Sequence, residues 1–409
     1  MYTEITKCRV SGSSNLITVL SLGEQYLTGV FPKSKNEKIT KGPLDLVWCP
    51  ESGLLQLKQS YSSEEMYGLN YGYRSGLNQS MVRHLQNKVR GLEKLISLSS
   101  NDIVLDIGSN DATLLKSYQS KVRRIGIDPT GVKFKEYYTD GIELVPEFFS
   151  EKAFRSIFPK ESAKIVTSIA MFYDLEDPLS FIRQIEAVLA SDGIWHFEQS
   201  YMPSMLRTNS YDTICHEHVE YYSFRTVKAM LEQCNMKVVD VQMNAVNGGS
   251  FAITASKKNA SYRSNLPVIN WLLLEEERMG LNSPKPFRDF EERVFKHRES
   301  LLQLIEALNN DGKKIFGYGA STKGNVLLQF CGITEKHIPY IAEVNENKFG
   351  CYTPGTNIPI ISEEEARAMQ PDYFFVLPWH FKSSILEREK EYIARGGKFI
   401  FPLPEIEIV

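Results

Sequence analysis

The densest group of ionisable side chains in the sequence runs Tyr211-Asp212-Thr213-Ile214-Cys215-His216-Glu217-His218-Val219-Glu220-Tyr221-Tyr222, and it holds two of the chain's seven histidines. On a strand, His216 and His218 would turn their rings to one face, which is a start for a metal site. No third ligand stands at a readable spacing, so that reading is weak. A solvated loop fits poorly with the tyrosines and the cysteine. Acid–base chemistry fits best, because a histidine among carboxylates and phenols has its pKa set near neutrality by its neighbours.

A second group is Asp106-Ile107-Gly108-Ser109-Asn110-Asp111, followed one strand later by Asp128-Pro129. A dinucleotide fold would place GxGxxG at the first turn, so that backbone amides approach a pyrophosphate. Here the third glycine is missing and an acid precedes the first. S-adenosylmethionine has an ammonium, a sulfonium and a ribose diol but no phosphate, and carboxylates with one close-approach glycine suit it better. Asp128 stands where a carboxylate can accept from both ribose hydroxyls. Ligands of such sheets lie beyond the carboxyl ends of the strands. That puts Phe148, Ala170 and Met171 beside the cofactor, and Asp174 and Glu198 beside cofactor or substrate. For Glu198, a buried carboxylate satisfying loop amides is an equally good reading.

A third group, Gly317-Tyr318-Gly319-Ala320-Ser321-Thr322-Lys323-Gly324-Asn325, links a strand to a helix. Glycines, hydroxyls and a lysine at a helix start suit a diphosphate, although a purely structural turn would look similar. The order GxxxxGK[ST] of a P-loop is absent. Trp379 and His380 could stack on or bond a nucleotide base; a core aromatic patch is nearly as good a reading.

These groups need elements to hold them. Residues 76–98 read as a helix, with Met81, Leu85, Val89, Leu92 and Leu95 at three-to-four spacing. From 102 onward, short apolar strands alternate with helices, the pattern of a doubly wound parallel sheet. MKVVDVQM and SFAITASKK would close it as an edge hairpin. A helical connector carries Phe287, Phe290, Val294, Leu301, Ile305 and Leu308 on one stripe, and a second α/β unit follows. The expected units are 1–70, 71–262, 263–310 and 311–409. In the first, Cys8-Arg-Val-Ser11 and Cys49-Pro-Glu-Ser52 resemble the two CxxC knuckles of a zinc ribbon, each with Ser in place of its second Cys. Two thiolates do not close a tetrahedral site, so the expectation is a ribbon without zinc and no metal elsewhere.

Composition narrows the class. The 409 residues, 42% hydrophobic and 24% charged, suit two or three ordinary domains. A net charge of -3 offers no electrostatic reason to expect nucleic acid. No apolar run is long enough to span a bilayer. The opening MYTEITKCRV lacks the regions of a signal peptide. Six cysteines in this length do not make a disulfide framework, which points to a reduced, cytoplasmic protein.

Taken together, YGYRSG (71–76), DIGSND (106–111), FEQSYM (197–202), CHEHVEYYS (215–223), NGGS (247–250), GYGASTKGN (317–325), the Pro-Gly-Thr turn (354–356) and PWHF (378–381) resemble one family nearly end to end. It is the S-adenosylmethionine-dependent C-methyltransferases of nucleotide-linked deoxysugars, which make branched sugars such as noviose, mycarose and tetronitrose. The resemblance implies a class I methyltransferase domain between a small zinc-ribbon-like domain and a C-terminal Rossmann-like one. It implies a monomer that binds a 4-keto-deoxysugar on dTDP or GDP. It makes His218 the catalytic base with Glu217 beside it, and Tyr71 a substrate-contacting donor able to stabilise an enolate. Tyr73, Cys215, Tyr222 and Asn247 fall in the same strings as candidate substrate contacts. Some relatives carry Tyr at Cys215 and His at Asp174, which suggests a subgroup. Ala112 replaces a glycine of the cofactor turn, a change that a helix start should tolerate. The rival activity, a nicotinamide-dependent oxidoreductase using GYGAST, lacks both GxGxxG and, on this reading, an acid near the turn for a ribose. A non-enzymatic scaffold would not need the His218–Glu217 cluster.

Overall fold

The computed structural model describes residues 2–62, 66 and 73–409. Its centre is a seven-stranded sheet. The order is Met236–Asn244, Ser250–Lys257, Leu189–Ser200, Ala163–Ile169, Ile103–Ile107, Arg123–Ile127, Ile142–Val145. The last five in that order run parallel, and the first two form an antiparallel hairpin at the edge. The strand Ile103–Ile107 (IVLDI) is buried at every position, as a strand covered on both faces must be. Strand order reverses between Ile103–Ile107 and Ala163–Ile169, so a ligand crevice opens beyond their carboxyl ends.

The helix Gln79–Leu95 packs on one face through Leu85, Val89 and Leu92, and Asn78 caps it by accepting from the amide of Ser80. Leu95, expected on the apolar stripe, is the last helical residue and stands exposed.

The N-terminal sheet has an origin that the alternation of strands does not reveal. Its order is Glu220–Tyr221, Leu55–Leu57, Lys41–Trp48, Ile17–Tyr26. One edge strand is therefore lent by the His/Glu/Tyr segment, whose Val219 carbonyl accepts from Leu57 N at 2.8 Å. The C-terminal sheet runs Ile360–Ser362, Ile341–Glu343, Ile315–Tyr318, Tyr373–Val376, Lys398–Phe401, Glu407–Ile408, all parallel but the last.

The connector is the helix Lys285–Asn310, which buries Phe287, Phe290, Val294, Leu301 and Ile305. Trp48 of the N-terminal sheet meets Phe287 with ring centroids 5.4 Å apart. Leu46, Phe290 and Val326 belong to one continuous core, so the N-terminal sheet, connector and C-terminal sheet bury their apolar faces together. The central sheet has separate cores on its two faces. Among the described residues, no helix is long and apolar enough to cross a membrane.

Candidate active site

The His/Glu/Tyr segment is pinned at both ends. Residues Tyr211–Thr213 form a short 3-10 turn, and Glu220–Tyr221 is locked into the N-terminal sheet. Between them, Val219 N donates to the Tyr173 carbonyl at 3.1 Å. The Nδ1 of His218 lies 2.8 Å from the carbonyl oxygen of Thr213. A carbonyl can only accept, so Nδ1 carries the hydrogen and Nε2 is the ring's basic atom. The ring edge meets Tyr173 at 4.4 Å between centroids. Burial and the Lys323 charge push the His218 pKa down to about 3, against the favourable Thr213 contact, so the ring is neutral at physiological pH and the expected pKa near neutrality is not met. Burial pushes Glu217 the other way, up to about 7. A ligating atom from each of Cys215, Glu217 and His218 lies within 4.8 Å of the others. Burial holds the Cys215 thiol well above its ordinary pKa.

His216 does not join them. Its Nε2 donates to the Gln25 carbonyl at 3.2 Å, and its ring meets Tyr61 edge-on at 4.6 Å. The two histidines do not converge, because the loop bends before the strand begins. Tyr71 lies outside the described residues.

The C-terminal turn reaches this cluster through Lys323, whose ammonium donates to the Asn247 carbonyl at 3.2 Å. Its charge acts on Asp212, His218 and His380. Gly319 sits at φ 81° against Pro378, a backbone that favours glycine. Ser321 caps the helix Thr322–Cys331 by accepting from Gly324 N. The expected absence of an acid near this turn is wrong. Glu343 ends the next strand, and its carboxylate accepts from the amides of Ala320, Val344 and Asn345 at 2.8–2.9 Å. Two of the turn's donors, Ala320 N and Gly324 N, are thus already used. Thr322 and Lys323 remain as the turn's side-chain candidates, and His380, on the later turn Trp379–Phe381, feels the Lys323 charge.

The structure corrects five more expected substrate contacts. Glu198 has both oxygens engaged, one by His84 at 2.6 Å, the other by Lys88 at 2.6 Å and Asn244 at 2.8 Å. Burial would raise its pKa, but these partners outweigh it and hold the carboxyl at about 2. Neither reading of Glu198, substrate contact or amide acceptor, includes the His84–Lys88 pair. Tyr222 is fully buried; its hydroxyl donates to Glu220 and its ring stacks on Phe172 at 5.2 Å. Asn325 is buried and donates to the Thr28 carbonyl at 2.7 Å, tying the C-terminal helix to the N-terminal unit. Gly317 lies within a strand, where its missing β-carbon makes room for Ile341. Trp379 is buried and its indole donates to Asp212 at 2.8 Å, which leaves no hydrogen for a base.

The cofactor turn fits an adenosyl group. Gly108 has φ 70°, and a β-carbon there would lie 3.3 Å from the Met171 side chain, closing the approach. Asp106 is buried beneath the turn, and burial raises its pKa to about 7 although Thr167 donates to it. A carboxyl so placed gains from a cation such as the cofactor's ammonium. Asp128 Oδ2 accepts from Asn110 N at 2.7 Å, while Oδ1 accepts from both the amide and the hydroxyl of Thr130 at 2.6 Å. The expectation of two free acceptors therefore needs narrowing, since most of the carboxylate already shapes the turn. Asn110 also accepts from Ser75 N and donates to the Tyr73 carbonyl, bringing these two residues of YGYRSG to the cofactor side. Pro129 is half-buried, the Phe148 ring is exposed, and Ala170 sits at φ 55° with its amide on the Glu198 carbonyl. Ala112 also has a left-handed backbone, φ 59°, so the replaced glycine was a conformational loss rather than a neutral change.

The N-terminal unit brings its two knuckles together. Cys8 Sγ meets Ser52 Oγ at 3.2 Å, and Ser11 Oγ meets Cys49 Sγ at 3.4 Å. Each serine bonds the cysteine of the opposite knuckle.

Comparison with known proteins accords with this geometry. Three family descriptions match in order: "Putative zinc binding domain" over residues 8–67, "Methyltransferase domain" over 81–241 and "C-methyltransferase C-terminal domain" over 245–404. The C-methyltransferase NovU of Streptomyces niveus is 31% identical over 409 residues, covering 99% of this chain and 97% of that protein. The chain belongs to the S-adenosylmethionine-dependent sugar C-methyltransferase family. Among solved structures, a putative methyltransferase of Haloferax volcanii in complex with Trm112 aligns at 15% identity, over 44% of this chain and 94% of that one, with TM-score 0.36. A putative methyltransferase of Bacillus halodurans aligns at 12%, over 42% and 99%, with TM-score 0.34.

For a C-methyltransferase, the residues that sequence reasoning missed are positional. Thr213 orients His218, Tyr173 walls it, and His84 and Lys88 hold Glu198. The last two stand four apart on one helix, which is the only signal they give.

Proposed function

We propose that this C-methyltransferase acts on a nucleotide-linked 4-keto-6-deoxysugar in the cytoplasm and methylates a carbon beside the ketone, carbon 3 rather than carbon 5. The observation that carries the reading is the His218–Thr213 hydrogen bond, which fixes one tautomer and leaves Nε2 as a base. A carbon beside a ketone loses its proton because the electron pair moves onto the ketone oxygen as an enolate. His218 Nε2 takes that proton, and Glu217, ionised, stabilises the imidazolium. Tyr71 or a donor beside it would stabilise the enolate oxygen. Asp106, Gly108, Asn110 and Asp128 hold S-adenosylmethionine, which when bound supplies an electrophilic methyl. Thr322, Lys323 and His380 face the sugar nucleotide from the C-terminal unit.

A second reading makes Glu217 itself the base. Its favour comes from a pKa of about 7, well matched to neutral operation. Either way, a panel of 4-keto sugars on dTDP and on GDP, assayed with labelled methyl donor and product mass spectrometry, tests the function. A new carbon-bound methyl on one of them is expected. Methylation of oxygen, or turnover with none of the panel, would overturn it.

A further inference from the structure

A half-open cavity of about 590 Å3 lies between the helix Gln79–Leu95 and the edge hairpin of the central sheet. Neither the cofactor turns nor the His218 cluster line it, and its size is that of a small-molecule pocket. One of its lining residues is His196, which is only 4% exposed. The Nδ1 of His196 shares a hydrogen bond with the Thr254 hydroxyl at 3.0 Å, and its buried Nε2 has no partner. Buried polar atoms are nearly always satisfied, so an orphan beside a cavity calls for a partner, water or ligand, within that cavity.

The charges lining the cavity say what that is. Lys88, Lys94 and Arg263 all face it. Lys88 is shared with Glu198, but among the described residues no carboxylate pairs with Lys94 or Arg263. The one acid lining the cavity, Asp240, has its oxygens occupied by Asn265 and Gln242. Leu92, Leu95 and Val239 supply apolar wall. We propose that this cavity binds a phosphorylated small molecule, its phosphate between these cations and His196 Nε2 and its organic part along the apolar wall. Because the pocket is separate from the cleft to which methyl transfer is assigned, its occupant is not the methyl acceptor.

The test uses calorimetric titration of the full chain with inorganic pyrophosphate at physiological salt. Lys94 and Arg263 are exposed, so the double variant Lys94→Glu, Arg263→Glu should fold as the wild type does. Binding by the wild type is expected and should persist in Lys323→Ala, which removes the C-terminal turn as a competing site, with at least tenfold loss when Lys94→Glu and Arg263→Glu are added. Absence of binding to the wild type, equal binding when those two are added, or loss through Lys323→Ala alone would overturn the proposal. The last outcome would put pyrophosphate in the C-terminal turn instead.

Discussion

A β-carbon on Gly29 would collide with the carboxylate of Glu217, and Thr322 Oγ1 stands 3.7 Å from the same point. Three stretches distant in sequence meet there: an N-terminal loop, the catalytic segment and the first turn of a C-terminal helix. The N-terminal unit also lends the sheet onto which Glu220–Tyr221 pairs. Its role in this reading is to set where the catalytic loop begins and how far Glu217 can move.

Gly29→Ala should therefore displace the Glu217 carboxylate while leaving the core intact. Misplacing a catalytic group by an ångström costs about 100-fold in rate. The expectation is a loss of that order in kcat with a thermal midpoint close to that of the wild type. Steady-state kinetics beside a melting curve decide it, and an unchanged kcat would mean that Glu217 needs no fixed position.

Zinc should be absent. The paired contacts Cys8–Ser52 and Ser11–Cys49 do what a metal does in a complete ribbon, holding two knuckles together. Elemental analysis of the purified protein should show less than stoichiometric zinc. The double variant Ser11→Cys, Ser52→Cys supplies four thiols and should take up one zinc per chain. One zinc in the wild type, lost on Cys8→Ser, would contradict this.

Much of this architecture was legible because periodicity is local. Strands such as IVLDI and the stripe of the connector helix announce themselves within a few residues. What could not be read was pairing between distant segments. Nothing in CHEHVEYY says that its end joins an N-terminal sheet, so His216 looked like a partner of His218 rather than of Gln25 and Tyr61. Asn325 reads as a ligand contact because a polar residue beside a Gly-rich turn reads the same whether its partner is substrate or Thr28, while Trp379 reads almost equally as a base contact or a core aromatic, with its partner Asp212 far away in sequence. Glu343 is legible by contrast, since it ends the strand after GYGAST about 20 residues on, where a dinucleotide fold carries its ribose acid.

Asp128→Ala should weaken S-adenosylhomocysteine binding by roughly 1–3 kcal/mol, the cost of leaving buried donors unpaired. The Asn110 amide and both Thr130 donors lose their acceptor along with any cofactor hydroxyl. Asp128→Asn keeps a carbonyl oxygen and should recover part of the loss. Titration calorimetry on both variants measures this, and wild-type affinity in Asp128→Ala would place the adenosyl site elsewhere.

The pH profile should carry Glu217. Its pKa is raised from 4.5 to about 7, so the carboxylate forms only as pH rises through neutrality. If that charge supports the base, kcat rises across that range and Glu217→Gln loses the limb. Stability must move the opposite way. Between pH 4.5 and 7 the folded chain holds a proton that the unfolded chain has lost, so this group's contribution to stability falls as pH increases. Glu217→Gln should therefore unfold at a higher temperature than the wild type at pH 8, and an equal or lower midpoint there would reject the assignment.

The strongest test is His218→Asn. Asparagine is smaller than histidine, and its amide can still donate to the Thr213 carbonyl, so the loop and both ligand affinities should survive. Turnover should fall by about two to four orders of magnitude, the usual share of general base catalysis. Proton abstraction can be watched apart from methyl transfer, by exchange of the substrate's acidic hydrogen with deuterium in heavy water. Bound S-adenosylhomocysteine should be present, so that the cofactor side of the cleft is formed. The wild type should exchange and His218→Asn should not, while Glu217→Gln should exchange slowly. If His218→Asn exchanges normally and Glu217→Gln not at all, the carboxylate is the base and His218 its positioning partner. Normal exchange in both would remove the pair from proton transfer altogether.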